Sequence, residues 1–209
     1  MQVWDISPAV SSRSPVFPGD TAYAQQWVAR IAPGCPVNVS AVTLSPHVGA
    51  HADAPLHYAD CAPAIGAVDL APYLGRCRVI HAIDRGPLVT VDHLAHAEAG
   101  LPPRVLVRTC ERAATDRWRD DFAAFAPETV AWLAGLGVTL IGIDTASVDP
   151  APSKTLESHQ QLLRSNLRVL ENLVLDDVPE GDYELIALPL KWVDADASPV
   201  RAILRELRP

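Results

Sequence analysis

Short apolar runs separated by turns and candidate helices dominate the second half of the chain. The segments CRVIHAI, RVLVRT, TLIGIDT and ELIALPL are rich in leucine and β-branched residues and have the length of strands. Between them, VDHLAHA can be capped by Thr90 or Asp92, and PETVAWLAGLG places Pro127 in the first turn of a helix and ends on a glycine. That helix leads directly into TLIGIDT, so the pattern predicts a single α/β domain with a mixed sheet over residues 1–209.

The N-terminal third has a different residue pattern, because prolines recur through it from Pro15 to Pro63. This spacing favours short strands and shaped loops over long helices. VWDIS and YAQQWVARI are compatible with strands, and FPGD is typical of a tight turn.

Composition narrows the class of protein. The chain has 209 residues, 49% of them apolar and 20% charged, which indicates a globular fold. Its 17 basic and 25 acidic residues give a net charge of −8, which argues against nucleic acid and anionic membrane as main partners. No apolar run is long enough to cross a bilayer, and the N-terminus has no signal pattern. The four cysteines lack CxxC spacing, so we expect reduced thiols and a cytoplasmic protein.

The segment HVGAHADAPLHY, residues 47–58, concentrates groups that bind metals. If the chain is extended here, the odd-numbered His47, His51, Asp53 and His57 share one face, and small apolar residues occupy the other. Gly49 would then leave room for a metal or substrate. Neutral imidazoles and a carboxylate suit a divalent transition metal, so the pattern predicts a metal site.

A second candidate cluster lies at SKTLESHQQLLRSNLRVLEN, residues 153–172. His159 lies on an apolar helical stripe, where a hydrogen-bonded core histidine is the commoner reading. Glu171 could join His159 at one site only if the helix ends between them, because a continuous helix would separate them by roughly 18 Å. Asn166 is a plausible terminator. We therefore predict a break near residues 165–167 and an extended segment that carries Glu171.

Nucleophile and phosphate-loop motifs are missing. The chain contains no GxSxG and no GxGxxG, which favours metal-activated water as the attacking species. Asp144 and Asp149 could orient ligands, although loop capping is the favoured interpretation. Trp118, Trp132 and Trp192 are expected in the core or at an interface rather than at a substrate.

HVGAHADAPLHY resembles the HxGxHxDxPxH signature of the metal-dependent cyclase-like hydrolases. FPGDT, IGIDTASVDPAPSKTLESH, LENL and GDYELIALPLKWVDADASPVRAIL extend the resemblance over almost the whole chain and make it similar to the bacterial kynurenine formamidases. The resemblance implies a swivelling β/β/α fold, a homodimer and two zinc ions per subunit, with Mn²⁺ or Fe²⁺ as alternatives. It also implies a small-molecule substrate, N-formyl-L-kynurenine, hydrolysed to L-kynurenine and formate in tryptophan breakdown.

The same resemblance implies which residues bind each zinc ion. His47, His51 and Asp53 would bind one zinc. Asp53 would also reach the second zinc together with His159, and Glu171 would contact both.

Two further roles follow from the resemblance alone. His57 would be the acid–base residue, and Phe17 would line the substrate pocket where relatives commonly have tryptophan. Phenylalanine keeps a flat apolar face for an aryl ring but lacks the indole N–H. Two alternatives stay open at this point: an isatin hydrolase-like enzyme that opens a cyclic amide on the same scaffold, and a non-catalytic metal-binding protein.

Overall fold

The computed structural model describes residues 2–207, in which nine strands form the main sheet and two pairs of strands form small sheets. In chain order the strands are β1 (Val3–Asp5), β2 (Ala24–Ala29), β3 (Val39–Thr43), β4 (His51–Asp53), β5 (Leu74–His81), β6 (Leu88–Val89), β7 (Arg104–Arg108), β8 (Ala124–Phe125), β9 (Leu140–Ile143), β10 (Arg168–Glu171), β11 (Gly181–Ile186), β12 (Ala197–Pro199) and β13 (Ile203–Glu206). The predicted mixed α/β fold is confirmed.

The main sheet has the order β1-β13-β11-β5-β7-β9-β10-β4-β12. Its centre, β5-β7-β9-β10, is parallel, and the remaining pairs are antiparallel. The carboxyl ends of the parallel strands therefore lie along one edge of the sheet, where binding sites of α/β proteins commonly form. Strands β2 and β3 make a separate antiparallel hairpin.

Helices connect the parallel strands. Within the described residues, α1 (Val91–Leu94) begins after Thr90, α2 (Pro127–Gly135) has Pro127 in its first turn, and α3 (Glu157–Ser165) precedes β10. The first two helices begin where the sequence predicts. No helix in the described part of the chain is both long and apolar enough to span a bilayer.

Side-chain alternation on the central strands fills two separate cores. Val105 and Val107 of β7 pack in a cluster with residues of the helices, whereas Leu106 between them belongs to the cluster on the other face. In the same way, Ile141 of β9 joins the helical cluster and Leu140 the opposite one. Strands buried on both faces read as continuous apolar runs, which explains why RVLVRT and TLIGIDT show no polar alternation.

Candidate metal centre and active-site cavity

The segment HVGAHADAPLHY is not extended throughout, so that prediction is wrong. Only β4, which contains His51, is a strand; His47 lies in a turn, and Pro55–His57 forms a 3-10 helix. Gly49 has φ +67°, and a Cβ there would meet the Cγ2 of Val10 at 2.7 Å. Gly49 is thus explained by backbone conformation and packing rather than by room for a ligand.

The imidazoles of this segment nevertheless converge on Asp53. His47 Nδ1 lies 3.1 Å from Asp53 Oδ1, and His51 Nε2 lies 3.4 Å from the same oxygen. The turn before β4 brings His47 back over the strand that carries the other two groups. His51 and Asp53 are fully buried, while His47 is half-buried at the edge of a cavity.

Two distant segments complete the cluster. β10 pairs with β4 so that Glu171 lies opposite His51, and Glu171 Oε2 is 3.3 Å from His51 Nε2. His159 reaches in from α3, with its Nε2 3.3 Å from Asp53 Oδ2 and 3.6 Å from Glu171 Oε1. The structure therefore brings together all five residues that the resemblance implies as ligands.

The predicted break between His159 and Glu171 is confirmed. Helix α3 ends at Ser165, and Asn166 follows in the left-handed conformation with φ +53°. Arg168 then begins β10, which carries Glu171. This reversal allows residues twelve positions apart in the chain to meet at one point.

Buried partners fix the orientation of these side chains. Asp149 Oδ2 lies 2.7 Å from His159 Nδ1 and accepts the backbone N–H of His159 at 3.0 Å. His51 Nδ1 is 2.9 Å from the carbonyl oxygen of Gly49, and the N–H of Val148 donates to Glu171 Oε1 at 2.7 Å. Such contacts hold the free nitrogen of each imidazole toward the shared centre.

The two aspartates after β9 have different roles. Asp149 orients His159, so the favoured interpretation of it as a loop cap is incomplete. Asp144 instead accepts hydrogen bonds from the backbone N–H and hydroxyl of Thr109 and from the N–H of Cys110, which caps the loop after β7 as expected.

The imidazoles and carboxylates of the cluster shift one another's pKa values. Burial lowers the pKa of each imidazole, but nearby carboxylates outweigh burial and raise the pKa of His47 to about 9 and those of His51 and His159 to about 10. Burial raises the pKa of Asp53, yet the three imidazoles hold it well below its usual range. The buried carboxylates thus require cationic neighbours, a role that imidazolium protons or a metal ion can fill.

The donor set fits a divalent metal. Among the described residues, buried His51 Nε2 and Asp53 Oδ1 have no partner oriented for a hydrogen bond, although both point into the cluster. His47, His51 and Asp53 can present ligand atoms to one ion, and so can Asp53, His57 and His159. Nitrogen and oxygen donors in such groups suit zinc, manganese or iron.

His57 lies on the cavity side of this cluster, close enough to Asp53 and His159 to serve as a ligand as well. Its side chain is partly exposed to the cavity, and its ring centroid lies 4.3 Å from that of His47 and 5.8 Å from that of His159. Asp196 Oδ2 lies 3.2 Å from His57 Nδ1 and 3.0 Å from His47 Nε2. Sequence reasoning missed Asp196, which lies 139 residues beyond His57 and carries no local signal.

The cluster opens into a cavity of about 810 Å³. In its lining, Phe17 and Trp118 meet edge to face with ring centroids 5.1 Å apart, and the ring centroids of Trp118 and Phe122 lie 6.0 Å apart. Trp118 therefore lines the cavity instead of the core, and its expected place at an interface stays a prediction. The FPGD turn is confirmed by the Asp20 N–H that donates to the carbonyl of Phe17, and it sets Phe17 at the cavity wall.

Comparison with known proteins agrees with this architecture. The family model described as Cyclase, putative cyclase, matches residues 4–150. Kynurenine formamidase of Bordetella pertussis is 70% identical over 206 residues, which cover 99% of both chains. A solved potential metal-dependent hydrolase with cyclase activity superposes with a TM-score of 0.86 at 25% identity, covering 100% of this chain and 99% of that one. An isatin hydrolase bound to thioisatinate superposes with a TM-score of 0.79 at 19% identity, covering 97% and 91%, which shows a shared fold.

Proposed function

This chain belongs to the Cyclase family, and we propose that it is an arylformamidase that hydrolyses N-formyl-L-kynurenine to L-kynurenine and formate in tryptophan degradation. The observation that carries the proposal is a nearly full-length similarity to kynurenine formamidases, combined with a metal-type cluster and an aromatic wall in one cavity. Isatin hydrolases share the fold at much lower identity, which makes cyclic amide hydrolysis the second candidate.

The metal cofactor of this activity is a pair of zinc ions, with manganese or iron as substitutes. His47, His51 and Asp53 would hold one ion, and His159 with Asp53 the other, while Glu171 would contact both. The buried atoms without hydrogen-bond partners support this assignment. When bound, the metals supply Lewis acidity, which lowers the pKa of water and polarises the formyl carbonyl.

His57 is assigned to proton transfer. The aryl amine is a poor leaving group until it is protonated, so hydrolysis needs a proton donor in contact with the cavity. His57 faces the cavity, and the carboxylate of Asp196 beside Nδ1 favours the tautomer that keeps a proton there. Its Nε2 is then available to exchange a proton with the substrate nitrogen.

Phe17 is assigned to the aryl ring of the substrate. Its side chain is 45% exposed and its edge-to-face partner Trp118 lies on the same cavity wall. Aromatic rings pack favourably against one another edge to face or offset-stacked, so these two side chains offer suitable contacts to the aryl ring. Phenylalanine at position 17 offers less apolar area than the tryptophan common in relatives. Trp118, on a neighbouring loop, supplies part of the difference.

The remaining expectations concern the whole chain. Residues 1–209 form one domain that acts in the cytoplasm as a homodimer. The unpaired thiols of Cys35, Cys61, Cys77 and Cys110 support a reducing compartment. The hairpin β2–β3 supports self-association, because an isolated two-stranded hairpin with apolar side chains on its surface is marginally stable in water.

Parallel assays test the reaction. The zinc-loaded protein should release stoichiometric formate from N-formyl-L-kynurenine and leave isatin intact at the same enzyme concentration. Ring opening of isatin without formate release would replace the proposal by its second candidate. Absence of turnover on both substrates, with zinc retained, would favour a metal-binding protein without catalysis.

A further inference from the structure

The cavity has to receive the zwitterionic amino-acid arm of the substrate, and acidic groups line much of it beside histidines and arginines. The acidic groups are Asp20, Asp84, Asp121, Asp144, Glu171 and Asp196. The arm of N-formyl-L-kynurenine carries an α-ammonium group, which these carboxylates attract, and an α-carboxylate, which needs a cationic side chain among them. The inference below rests on the proposed function and names the group that recognises this arm.

Three arginines of the loop after β7 line the cavity, and their surroundings differ. Arg119 is paired with Asp121 through two hydrogen bonds of 2.8 and 2.7 Å. Arg112 and Arg117 make no hydrogen bond or ion pair with any residue that the structure describes. Their guanidinium groups are therefore available for a planar, bidentate contact with a carboxylate.

The backbone distinguishes Arg112 from Arg117. On one side of Arg112, the N–H of Cys110 donates to Asp144 at 3.3 Å; on the other, the N–H of Ala113 donates to Asp176 at 2.9 Å. Arg112 thus projects from a short segment anchored at both ends. Arg117 lies further along the loop, beyond these anchors, so its guanidinium is held less firmly.

The distance from the metal-type cluster to Arg112 is compatible with the length of the substrate. β7 and β10 are parallel and separated by β9 alone, so their carboxyl ends lie about 10 Å apart along the same edge of the sheet. The metal-type cluster lies at the end of β10, and Arg112 follows the end of β7. About seven bonds join the formyl carbon to the carboxylate carbon, which span roughly 8 Å when extended.

We infer that Arg112 is a specificity-determining residue that binds the α-carboxylate of the substrate, while the aryl ring lies against Phe17 and Trp118. The contact draws an aryl formamide bearing an amino-acid arm into the cavity and orients its formyl group toward the metal-type cluster. An aryl formamide without the arm gains nothing from Arg112.

The test compares two substrates on each variant: N-formyl-L-kynurenine, and 2-formamidoacetophenone, which has the same ring and scissile bond but no amino acid. Arg112→Gln should raise KM for the first by about tenfold or more and change kcat/KM for the second by less than about twofold. The ratio of the two kcat/KM values is unaffected by any loss of folded enzyme. Arg112→Lys should recover part of the ratio, because a point charge remains.

Controls separate the outcomes. Arg13→Gln removes the same charge from an exposed site that does not line the cavity and should leave the ratio at its wild-type value. An unchanged ratio in Arg112→Gln, or a selective loss in Arg117→Gln alone, would overturn the assignment to Arg112. If the wild-type protein hydrolysed neither substrate, the proposed function itself would fail, and the assignment with it.

Discussion

At the residue scale, Asp196 connects the proposed proton carrier His57 with the proposed metal ligand His47. One of its oxygens lies within 3.2 Å of both His57 and His47, so a single carboxylate orients a candidate proton carrier and a candidate ligand. The imidazole of His47 and the N–H of His57 in turn hold the pKa of Asp196 at about 2, so this carboxylate is ionised at neutral pH. Loss of Asp196 should therefore disturb proton transfer by His57 and loosen the hold on His47.

At saturating zinc, Asp196→Asn should lower kcat by about tenfold to a hundredfold with zinc still bound, because it removes the charge that orients His57 while the proposed ligands remain; loss of the contact to His47 should weaken zinc affinity. Steady-state kinetics with N-formyl-L-kynurenine and elemental analysis of the same preparation measure both effects. Wild-type kcat in this variant would show that Asp196 does not position His57.

The proposed roles of His51 and His57 also differ in a measurable way. His51→Ala should lose zinc and activity together, since His51 is buried among the carboxylates. His57→Ala should keep zinc and lose about a hundredfold or more in kcat, as expected for a general acid. Equal loss of zinc from both variants would instead make His57 a ligand.

The sequence predicts these residues unevenly, for a physical reason. His47, His51, Asp53 and His57 lie within one short segment, so their density is visible before folding. Asp196 and Arg112 are single polar residues that reach the cavity through sheet order and loop anchoring, which local patterns do not encode. The roles that separate His57 from the other histidines likewise came from resemblance.

At the element scale, the reversals of chain direction between elements determine which side chains meet at the candidate metal site. The left-handed turn at Asn166 sends the chain from α3 into β10, and antiparallel pairing then sets Glu171 opposite His51. The break was predictable because one helix could not serve one site. The bend of residues 47–58 was not, because it combines a positive φ at Gly49 with a 3-10 helix at Pro55–His57, and neither glycine nor proline alone specifies these conformations.

A cross-strand ion pair joins the side chains of β5 and β11, beside their backbone hydrogen bonds. Arg78 donates to Asp182 at 2.6 and 3.1 Å, and Arg78 also holds the pKa of Asp182 below its ordinary value of 3.8. A carboxyl whose folded-state pKa is depressed stabilises the fold above its ordinary pKa, and this contribution disappears as the pH falls through the folded-state value.

Asp182→Asn should therefore lower the free energy of unfolding by about 1–3 kcal/mol at pH 7, and its deficit should shrink below about pH 4. Urea unfolding of both proteins at several pH values measures the difference. Asp116→Asn, a change in an exposed loop, should have little effect at any pH. A deficit that is the same at pH 7 and at pH 3.5 would rule out the ionic origin.

At the scale of the whole molecule, the surface of the β2–β3 hairpin is the feature that the single chain leaves unexplained. Val28 is 68% exposed and Ile31 is 65% exposed, with Trp27 and Val42 also on this surface. Apolar side chains grouped in this way on an arm separate from the main sheet are typical of an interface. The predicted homodimer would bury them.

Val28→Asp should convert the dimer into a monomer, because it places an unpaired charge in the proposed interface. Sedimentation or light scattering gives the mass directly. Val193→Asp changes a residue that is 77% exposed elsewhere and should remain dimeric. A monomeric wild-type protein, or a dimer that persists in Val28→Asp, would show that the hairpin does not mediate association.

The central claim is that the convergent imidazoles and carboxylates act through bound metal. The most direct measurement follows formate release from N-formyl-L-kynurenine by one preparation, first stripped of metal by a chelator and then titrated with zinc. The account predicts no turnover in the stripped protein and a rate that rises with zinc until two ions are bound per chain. Full turnover in a preparation that elemental analysis shows to be free of metal would contradict it.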